Sequence, residues 1–313
     1  MGIALFINPR SRANRKNPDG IHALARAMGE TGQVFSPPSL DAVADLAVSL
    51  AQAPPDIIAI HGGDGTVHSV ITRLIPAFAA AGDRPLPPLA LLTGGTMNVV
   101  PRSLGLAAPP VAFMEHLAAC QRAGRAPDIV ARRCLQVGAH YGFVFGNGSV
   151  AGFLDEYYST GSYGASRALW IGVRAMSSKV TGSAYGKHTL PPFEGLIEVD
   201  GLPHPGRSFT AVCAATVREV GLGFKLHNRA DEDPDRFNLV VVKGQPLELL
   251  VDLLPVRLGQ GISPARADSL LASHVRLHPT QPDMPYTIDG DMYRTSAPLD
   301  LRIGPLLRLA RPQ

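Results

Sequence analysis

One stretch, residues 56–70 (DIIAIHGGDGTVHSV), constrains the fold of this chain more than any other. Its short apolar run, residues 57–60, predicts a buried parallel strand. A glycine-rich turn, residues 62–66, follows the strand, and an apolar segment compatible with a helix comes next. Glycines let the backbone approach an anion, and the free N–H groups at a helix start favour negative charge. The stretch therefore predicts a phosphate-binding turn.

A carboxylate inside this turn, Asp64, suggests chemistry rather than binding alone, because it repels phosphate unless a metal or a proton donor stands between. A second glycine turn, residues 93–98 (TGGTMN), follows the apolar run 89–92. No Gly-Lys-Ser/Thr appears in the chain, which excludes a Walker A P-loop. Two glycine turns, each at the end of a buried strand, favour phosphate binding over tight turns alone.

The order of the elements predicts two domains. Buried strands alternate with helices in the first 126 residues, which is typical of a doubly wound parallel sheet. Both glycine turns then fall at the carboxyl ends of strands, where such sheets bind ligands. Beyond residue 126, short strands separated by Gly, Pro, Asn and Asp predict an antiparallel β-sandwich. We predict an α/β domain over 1–126, a sandwich over 127–297, and a return of 298–313 to the first domain.

Charge and cysteine content exclude several classes of protein. The net charge of +3 is too weak to favour nucleic acid as a partner. Three cysteines without metal or pairing spacing indicate buried thiols in a reducing compartment. The uncharged segment 134–154 is rich in glycine, so strands are favoured over a transmembrane helix. We expect a soluble cytoplasmic protein without a transmembrane segment, and the sequence leaves a homodimer open.

Five motifs occur along almost the whole chain. They are NPRS (8–11), GGDGT (62–66), GGTMN (94–98), GSVAGFLDE (148–156) and TIDGD (287–291). In this order they resemble lipid kinases of the diacylglycerol kinase catalytic-domain type, a family that includes sphingosine, ceramide and bacterial lipid kinases. The resemblance implies ATP and Mg²⁺ as cofactors, a lipid substrate at a membrane surface, and transfer of the γ-phosphate to a lipid hydroxyl.

The resemblance also assigns roles to individual residues. The residues that match nucleotide-binding positions are Asn8, Ser11, Gly62, Gly63, Asp64, Gly65, Thr66, Gly95, Thr96 and Asn98. Asp289 matches the family's general base, Asp291 stands where the family usually has Glu, and Asp235 matches a carboxylate of a magnesium-linked network. Asp64 is a rival base or metal-linked carboxylate. Asp155 fits either the acceptor headgroup or a surface cap.

The TIDGD motif has a second interpretation that needs no catalysis. Asp-Gly between two strand-like runs is the strongest short signal for a β-hairpin. Phosphoryl transfer, in turn, needs a base near the acceptor hydroxyl. The two roles are compatible within one motif.

Basic residues indicate two further features. No acidic residue occurs between 157 and 193, and Arg167, Trp170 and Arg174 fall on one face of a helix expected near 165–178. That face suits a membrane surface, although a core-packing helix explains it as well. An amino-terminal basic cluster is either a solvated face or a guide for a triphosphate; its members are Arg10, Arg12, Arg15, Lys16 and Arg26.

Departures from the family pattern keep two alternatives open. Ser69 and Val99 each stand where the family has a carboxylate near the nucleotide, and Arg236 replaces a glycine. A catalytically weakened nucleotide- or lipid-binding protein is therefore one alternative. The other is an NAD kinase-like enzyme, which shares GGDGT and a later GFL. Here GFL occurs only at 152–154, after GGTMN, which favours the lipid kinase.

Overall fold

The computed structural model describes residues 2–9, 11, 14–15, 17–82, 84–159 and 190–313, with only the backbone for 157–159. The helix expected near 165–178 lies outside these residues, as do three members of the basic cluster, Arg10, Arg12 and Lys16. The chain divides into two compact units. One comprises Met1–Cys134 with Pro305–Gln313, and the other comprises Leu135–Gly304. The domain boundaries expected at 126 and 297 stay predictions.

The first unit is built on a parallel sheet. Its strands are β1 (Ile3–Ile7), β2 (Gly32–Phe35), β3 (Ile57–Gly62), β4 (Leu89–Thr93) and the end of the last strand of the chain, β17 (Leu299–Ala310). The spatial order is β17-β4-β3-β1-β2, and every neighbouring pair is parallel. All residues of β1 and β3 are buried, as expected for strands covered on both faces.

Helices connect these strands. Those of the first unit are α1 (Asp19–Met28), α2 (Leu40–Gln52), α3 (Asp64–Ala80), α4 (Val99–Ser103) and α5 (Pro110–Arg122). Residues of α1 and α5, among them Leu24 and Phe113, form one apolar core with alternate residues of β1 and β3. Helices α2 and α3 contact each other. Ser39 caps α2, because its Oγ accepts a hydrogen bond from the N–H of Ala42 at 3.2 Å.

The second unit is antiparallel. Its strands are β5 (Ile129–Val137, entering from the first unit), β6 (His140–Gly142), β7 (Val144–Asn147), β8 (Phe193–Val199), β9 (Leu202–Pro203), β10 (Ser208–Phe209), β11 (Ala211–Ala215), β12 (Phe237–Val242), β13 (Ala267–Ala272), β14 (His274–Pro279), β15 (Met284–Ile288), β16 (Asp291–Thr295) and the start of β17. One sheet has the order β13-β12-β11-β7-β15-β16, and a second layer contains β10-β8-β14-β17. Helices α6 (Ser149–Ser159) and α7 (Leu253–Leu258) complete the unit.

One apolar core joins the two layers of the second unit. Phe145 and Phe237 contribute from the six-stranded sheet, and Phe193 and Leu277 contribute from the other layer. The side chains of both layers are buried against each other, which is the packing of a β-sandwich. The predicted combination of a parallel α/β sheet with an antiparallel second part is confirmed.

Two further expectations concern cysteines and membranes. Cys120, Cys134 and Cys213 are buried and form no disulfide, and burial raises the pKa of the Cys213 thiol to about 12. In the ranges described here, no helix combines the length and the apolar character needed to cross a bilayer.

The hairpin of β15 and β16 is closed by Asp289 and Gly290, with Ile288 paired to Asp291. Asp289 has φ of 50° and Gly290 has φ of 91°, the left-handed backbone that a two-residue type I′ turn requires. The hairpin interpretation of TIDGD is therefore correct for the backbone.

Replacing Gly290 with alanine tests this turn. We expect Gly290→Ala to lower the free energy of unfolding by about 1 kcal/mol, because a Cβ disfavours positive φ. Urea unfolding monitored by circular dichroism measures this free energy of unfolding. Gly20→Ala is the control, since its Cβ would meet nothing closer than the Asn17 amide at 3.4 Å and the position is helical. Equal stability of the two variants would contradict the turn assignment.

Candidate functional site in the first unit

The first glycine turn leads directly from a buried strand into a long helix. Gly62 ends β3, Gly63 caps α3, and the 17-residue helix begins at Asp64. The Gly63 carbonyl accepts hydrogen bonds from the N–H groups of Thr66 at 2.9 Å and Val67 at 3.1 Å. The turn thus carries the positive end of a helix dipole, where anions bind favourably.

The two glycine turns touch each other through their backbones. The N–H of Gly94 donates to the Gly62 carbonyl at 2.9 Å. A Cβ on Gly95 would lie 2.4 Å from the Cα of Gly63, and one on Gly94 would lie 3.0 Å from the Gly62 nitrogen. Any side chain at these positions would separate the turns. The glycines are therefore required for contact between the turns, in addition to any approach to phosphate.

The NPRS turn is tied to the first glycine turn by Asn8. Its Nδ2 donates to Thr66 Oγ1 at 3.0 Å, and its backbone N–H donates to the His61 carbonyl at 3.2 Å. A Cβ on Gly62 would lie 2.5 Å from Thr66 Oγ1, so the absence of a side chain at Gly62 makes room for Thr66. Asn8 and Thr66, both expected at the nucleotide, are thus in direct contact.

A buried hydrogen-bond chain continues from Asn8 to His61 through Asn14. Asn14 Nδ2 donates to the Asn8 carbonyl at 2.7 Å, and Asn14 Oδ1 lies 2.8 Å from His61 Nε2. Because the amide nitrogen of Asn14 is used as a donor, its oxygen faces the ring, and His61 donates from Nε2. Ser11 Oγ accepts a weak hydrogen bond from the Asn14 N–H at 3.5 Å.

The sequence analysis did not identify Asn14, which connects the NPRS turn to His61, the residue just before the first glycine turn. The signal was an asparagine three residues after Ser11, a spacing that by itself does not distinguish a linker from a surface residue. His61 was interpreted as a hydrogen-bonded structural histidine, and the structure shows it buried with such a bond. Burial lowers the pKa of His61, so the ring is neutral near pH 7.

The carboxylate of Asp64 interacts with the second glycine turn. Its Oδ1 accepts a hydrogen bond from the N–H of Val100 at 3.3 Å, at the start of α4. Burial raises the pKa of Asp64, while hydrogen bonds from the N–H groups of Val99 and Val100 act in the opposite direction. These amides supply the positive partner that a carboxylate beside a phosphate turn needs. Val99, a departure from the family pattern, takes part only through its backbone.

Asn98 closes the second turn on itself. It lies in the left-handed region with φ of 47°. Its Oδ1 accepts from the Gly95 N–H at 2.9 Å, and its Nδ2 donates to the Gly95 carbonyl at 3.1 Å. Its amide therefore orders the turn, and Thr96, which is exposed, lies at its tip.

Asp289, in the second unit, holds the hairpin against the β6–β7 junction. Its Oδ1 accepts hydrogen bonds from the N–H groups of Phe143 at 3.0 Å and Val144 at 2.9 Å, and Oδ2 lies 3.1 Å from the Phe143 nitrogen. A Cβ on Gly142 would lie 2.7 Å from Asp289 Oδ2, so Gly142 leaves space for the carboxylate.

Asp291 has a different environment at the other end of the same turn. Burial raises its pKa, and no described residue donates a hydrogen bond to its carboxylate. A half-buried carboxylate with few donors accepts a proton more readily than one with several. The hairpin therefore carries one carboxylate held by backbone N–H donors, that of Asp289, and one whose pKa is raised by burial, that of Asp291.

The remaining candidates lie at exposed positions. Asp155, on α6, is 3.9 Å from Arg294, which also pairs with Asp283 at 2.9 Å. The backbone N–H of Asp235 donates to Asp233 Oδ1 at 2.9 Å in an exposed turn. Within the described ranges, no three His, Cys, Asp or Glu side chains gather as ligands of a metal ion would.

A cavity of about 230 Å³ occurs in the first unit, but its lining does not include either glycine turn. Gly2, Ile3 and Thr31 line it at the amino-terminal end of β1. In parallel sheets ligands bind at the opposite, carboxyl ends of the strands. Position and chemistry together therefore favour the paired turns as the site.

Comparison with known families shows what the first unit is similar to. Residues 2–129 match the family model of the diacylglycerol kinase catalytic domain, which confirms the predicted resemblance. The matched segment contains the NPRS turn and both glycine turns. No curated protein matches the chain.

Solved structures with the same fold come from Bacillus anthracis strain Sterne. A diacylglycerol kinase aligns with a TM-score of 0.65 and 16% identity over 99% of this chain and 96% of that chain. Another structure, whose diacylglycerol kinase assignment is provisional, aligns with a TM-score of 0.69 and 18% identity over 99% of this chain and 97% of its own. At these identities the similarity establishes the fold alone.

The contact between the turns can be tested at Gly95. We expect Gly95→Ala to destabilise the first unit by about 1–3 kcal/mol, because the added Cβ meets backbone that cannot rotate away. Nucleotide binding measured by calorimetry should weaken at least about tenfold, a loss of about 1.4 kcal/mol. Gly20→Ala is again the control and should bind as the parent does. Unchanged affinity in Gly95→Ala would contradict the role of the contact.

The state of His61 has a pH-dependent consequence. A histidine whose pKa is lowered by folding binds a proton more weakly in the folded chain, so stability falls as pH drops below the ordinary histidine value. We expect His61→Gln, which retains a side-chain donor, to lose less stability between pH 7 and pH 5 than the parent. Unfolding in urea at both pH values measures this, with the exposed His22→Gln as control. Parallel losses in parent and His61→Gln would refute it.

Proposed function

We propose that this protein, whose residues 2–129 match the family model of the diacylglycerol kinase catalytic domain, is an ATP-dependent lipid kinase. It transfers the γ-phosphate of ATP to a hydroxyl of a diacylglycerol- or sphingoid-like lipid. The observation that carries the proposal is the contact of two glycine turns at the carboxyl ends of β3 and β4, linked to the NPRS turn through Asn8 and Thr66. A cytoplasmic location with access to a membrane surface belongs to the same proposal, and homodimerisation stays a prediction.

The paired turns suit a triphosphate for electrostatic reasons. Phosphoryl transfer depends on holding the phosphates in place and neutralising their charge. The start of α3 and the glycine backbone supply N–H groups without side chains that would exclude the phosphates. We assign Gly62, Gly63 and Gly65 to the phosphates, and the second turn, with Gly95, Thr96 and Asn98, to the adjoining part of the nucleotide.

Magnesium belongs to this proposal as part of the nucleotide substrate. Mg²⁺ is commonly held by phosphate oxygens, water and one or two carboxylates, so a cluster of three protein ligands is not needed. Asp64 is the carboxylate nearest the glycine turn, and Asp235 is the second candidate from the family pattern. In the transfer, the lipid hydroxyl oxygen bonds to the γ-phosphorus, the bond to the β,γ-bridging oxygen breaks, and ADP leaves.

We assign the base for the hydroxyl proton to the Asp289–Asp291 hairpin. Asp289 is the residue that the family pattern favours, and its carboxylate is held by hydrogen bonds from the backbone N–H groups of Phe143 and Val144. Among the described residues none donates a hydrogen bond to the Asp291 carboxylate, and burial raises its pKa, which favours proton acceptance. Asp291 therefore accepts the proton in our proposal, and Asp289 fixes the turn that positions it. Asp155 remains assigned to the acceptor headgroup.

A lipid panel tests the activity itself. The protein is incubated with radiolabelled ATP and Mg²⁺ in mixed micelles that contain diacylglycerol, ceramide or sphingosine. Label should appear in one lipid class. Formation of NADP from NAD and ATP would favour the NAD kinase-like alternative. Tight ATP binding in calorimetry without turnover on any lipid would favour the weakened binding protein, for which Ser69, Val99 and Arg236 are the motivation.

Two asparagine variants separate the carboxylates of the hairpin. We expect Asp291→Asn to lower kcat by about 10²–10⁴, the usual contribution of a general base. Because burial raises the pKa of Asp291, folding disfavours its charged form, and Asp291→Asn should be more stable than the parent at pH 7. Below the ordinary pKa of aspartate the carboxyl group is neutral in the folded and the unfolded chain, so this gain in stability should vanish there.

The second variant should behave in the opposite way. Asp289→Asn should lose about 1 kcal/mol of stability, because an amide nitrogen cannot accept from Phe143 N–H. Kinetics at saturating ATP measure kcat for both variants, and unfolding in urea measures their stability. Full activity in Asp291→Asn together with inactivity in a stably folded Asp289→Asn would reverse the assignment.

A further inference from the structure

The segment between β12 and β13 exposes a row of large apolar side chains. A short 3₁₀ helix, Glu248–Asp252, runs into α7 there. Val251 is 67% exposed, Leu254 is 65% exposed and Leu258 is 64% exposed. We call this row the apolar ridge; its members are Leu247, Leu250, Val251, Leu253, Leu254 and Leu258. Six large apolar side chains exposed within twelve residues are far more than the scattered apolar residues of an ordinary surface.

The opposite side of the segment is anchored to the second unit through a charged residue. Asp252 is buried, and its two carboxylate oxygens accept from Arg266 Nε at 2.6 Å and Nη2 at 2.9 Å. Val256 is buried beside it, and Leu249 packs against the core. The usual polarity of a surface helix is thus inverted, with a carboxylate inside and leucines outside. Turning the ridge inward would break this partly buried ion pair and leave Asp252 without its hydrogen bonds from Arg266.

The carboxylates of the segment are engaged elsewhere. Asp252 faces Arg266, and Glu248 Oε2 accepts a hydrogen bond from the Gln245 N–H at 2.8 Å. Between Leu253 and Leu258 the only charged side chain is that of Arg257. Glu248 is exposed at the amino-terminal end of the ridge, whereas the part from Leu253 to Leu258 contains no carboxylate that would repel an anionic surface.

Cationic side chains border the carboxyl-terminal end of the ridge. Arg257 is exposed, with its guanidinium 6.0 Å from the centroid of the Phe224 ring. The backbone of Lys225 is hydrogen-bonded to the Val256 carbonyl at 3.1 Å. Arg218 lies near Gly259 and is 4.0 Å from Asp231, so part of its charge is balanced. An apolar row next to Arg and Lys is the pattern of a segment that lies in the interface of an anionic bilayer.

We propose that the apolar ridge inserts into the surface of a bilayer that contains anionic lipid, with Arg257 and Lys225 at the headgroups. The inference rests on the proposed function, because a kinase for a membrane lipid must reach its substrate there. A second copy of the chain fits less well as the occupant. A two-fold contact places the same patch on both partners, and the cations at its edge would then repel each other.

Vesicle binding without nucleotide tests the proposal directly. The full chain is sedimented with vesicles of phosphatidylcholine alone and of phosphatidylcholine with phosphatidylglycerol. We expect the parent to bind the anionic vesicles, and Val251→Glu/Leu254→Glu to bind at least about tenfold more weakly, since charge is excluded from the acyl boundary. Arg257→Gln should weaken binding to anionic vesicles about fivefold. Leu202→Glu is the matched control, because Leu202 is 72% exposed on β9 and outside the ridge, and it should bind as the parent does.

Separate readouts distinguish this proposal from the proposed function. Phosphorylation of a short-chain, water-soluble acceptor should be unchanged in Val251→Glu/Leu254→Glu, while phosphorylation of the same lipid in vesicles should fall. Vesicle binding without kinase activity on any lipid would overturn the function and leave the ridge assignment standing. A parent that binds neither vesicle would overturn the ridge assignment. So would a dimer in sedimentation velocity that the double variant dissociates while vesicle binding is unchanged.

Discussion

The contact of two backbones at Gly63 and Gly95 is the constraint on which the candidate site depends. A Cβ on Gly95 would lie 2.4 Å from the Gly63 Cα, so the turns meet only if neither carries a side chain. The contact arises because β3 and β4 are parallel neighbours in register, with Gly62 opposite Thr93. Each turn therefore emerges at the same edge of the sheet. The helix start at Asp64 then lies beside the second turn, and the Asp64 carboxylate accepts a hydrogen bond from the N–H of Val100 just after that turn.

Polar side chains around this contact bind one another and thereby fix its shape. Asn8 holds Thr66, Asn98 closes its own turn, and Asp64 accepts from the start of α4. The buried chain from Asn8 through Asn14 to His61 gives the NPRS turn a fixed orientation. Such networks cost little reorganisation when a ligand arrives, because the groups already have partners. The polar residues that match nucleotide-binding positions thus also hold the turns in a fixed shape.

The second unit illustrates how environment separates two identical side chains. Asp289 and Asp291 flank one glycine, yet backbone donors hold the first and burial raises the pKa of the second. Asp289 has a positive φ in the turn, and its carboxylate is held at the β6–β7 junction. The same unit exposes the apolar ridge, where a partly buried ion pair of Asp252 and Arg266 anchors the inward side of the segment. In both places the hydrogen bonds of a carboxylate fix the segment that carries it.

Local patterns in the sequence determined much of this protein. Apolar runs specified the strands, glycines and Asp-Gly specified the turns, and five ordered motifs were sufficient to predict the family. The partners of the polar side chains were decided only by the tertiary structure. Asp64 meets Val100, 36 residues away, Asn14 meets His61, 47 residues away, and Asp289 meets Phe143, 146 residues away. Strand order and register set these pairings, and neither is encoded in the periodicity of a single segment. For the same reason, the sequence identified leucines between 247 and 258, but only packing decided that they face outward.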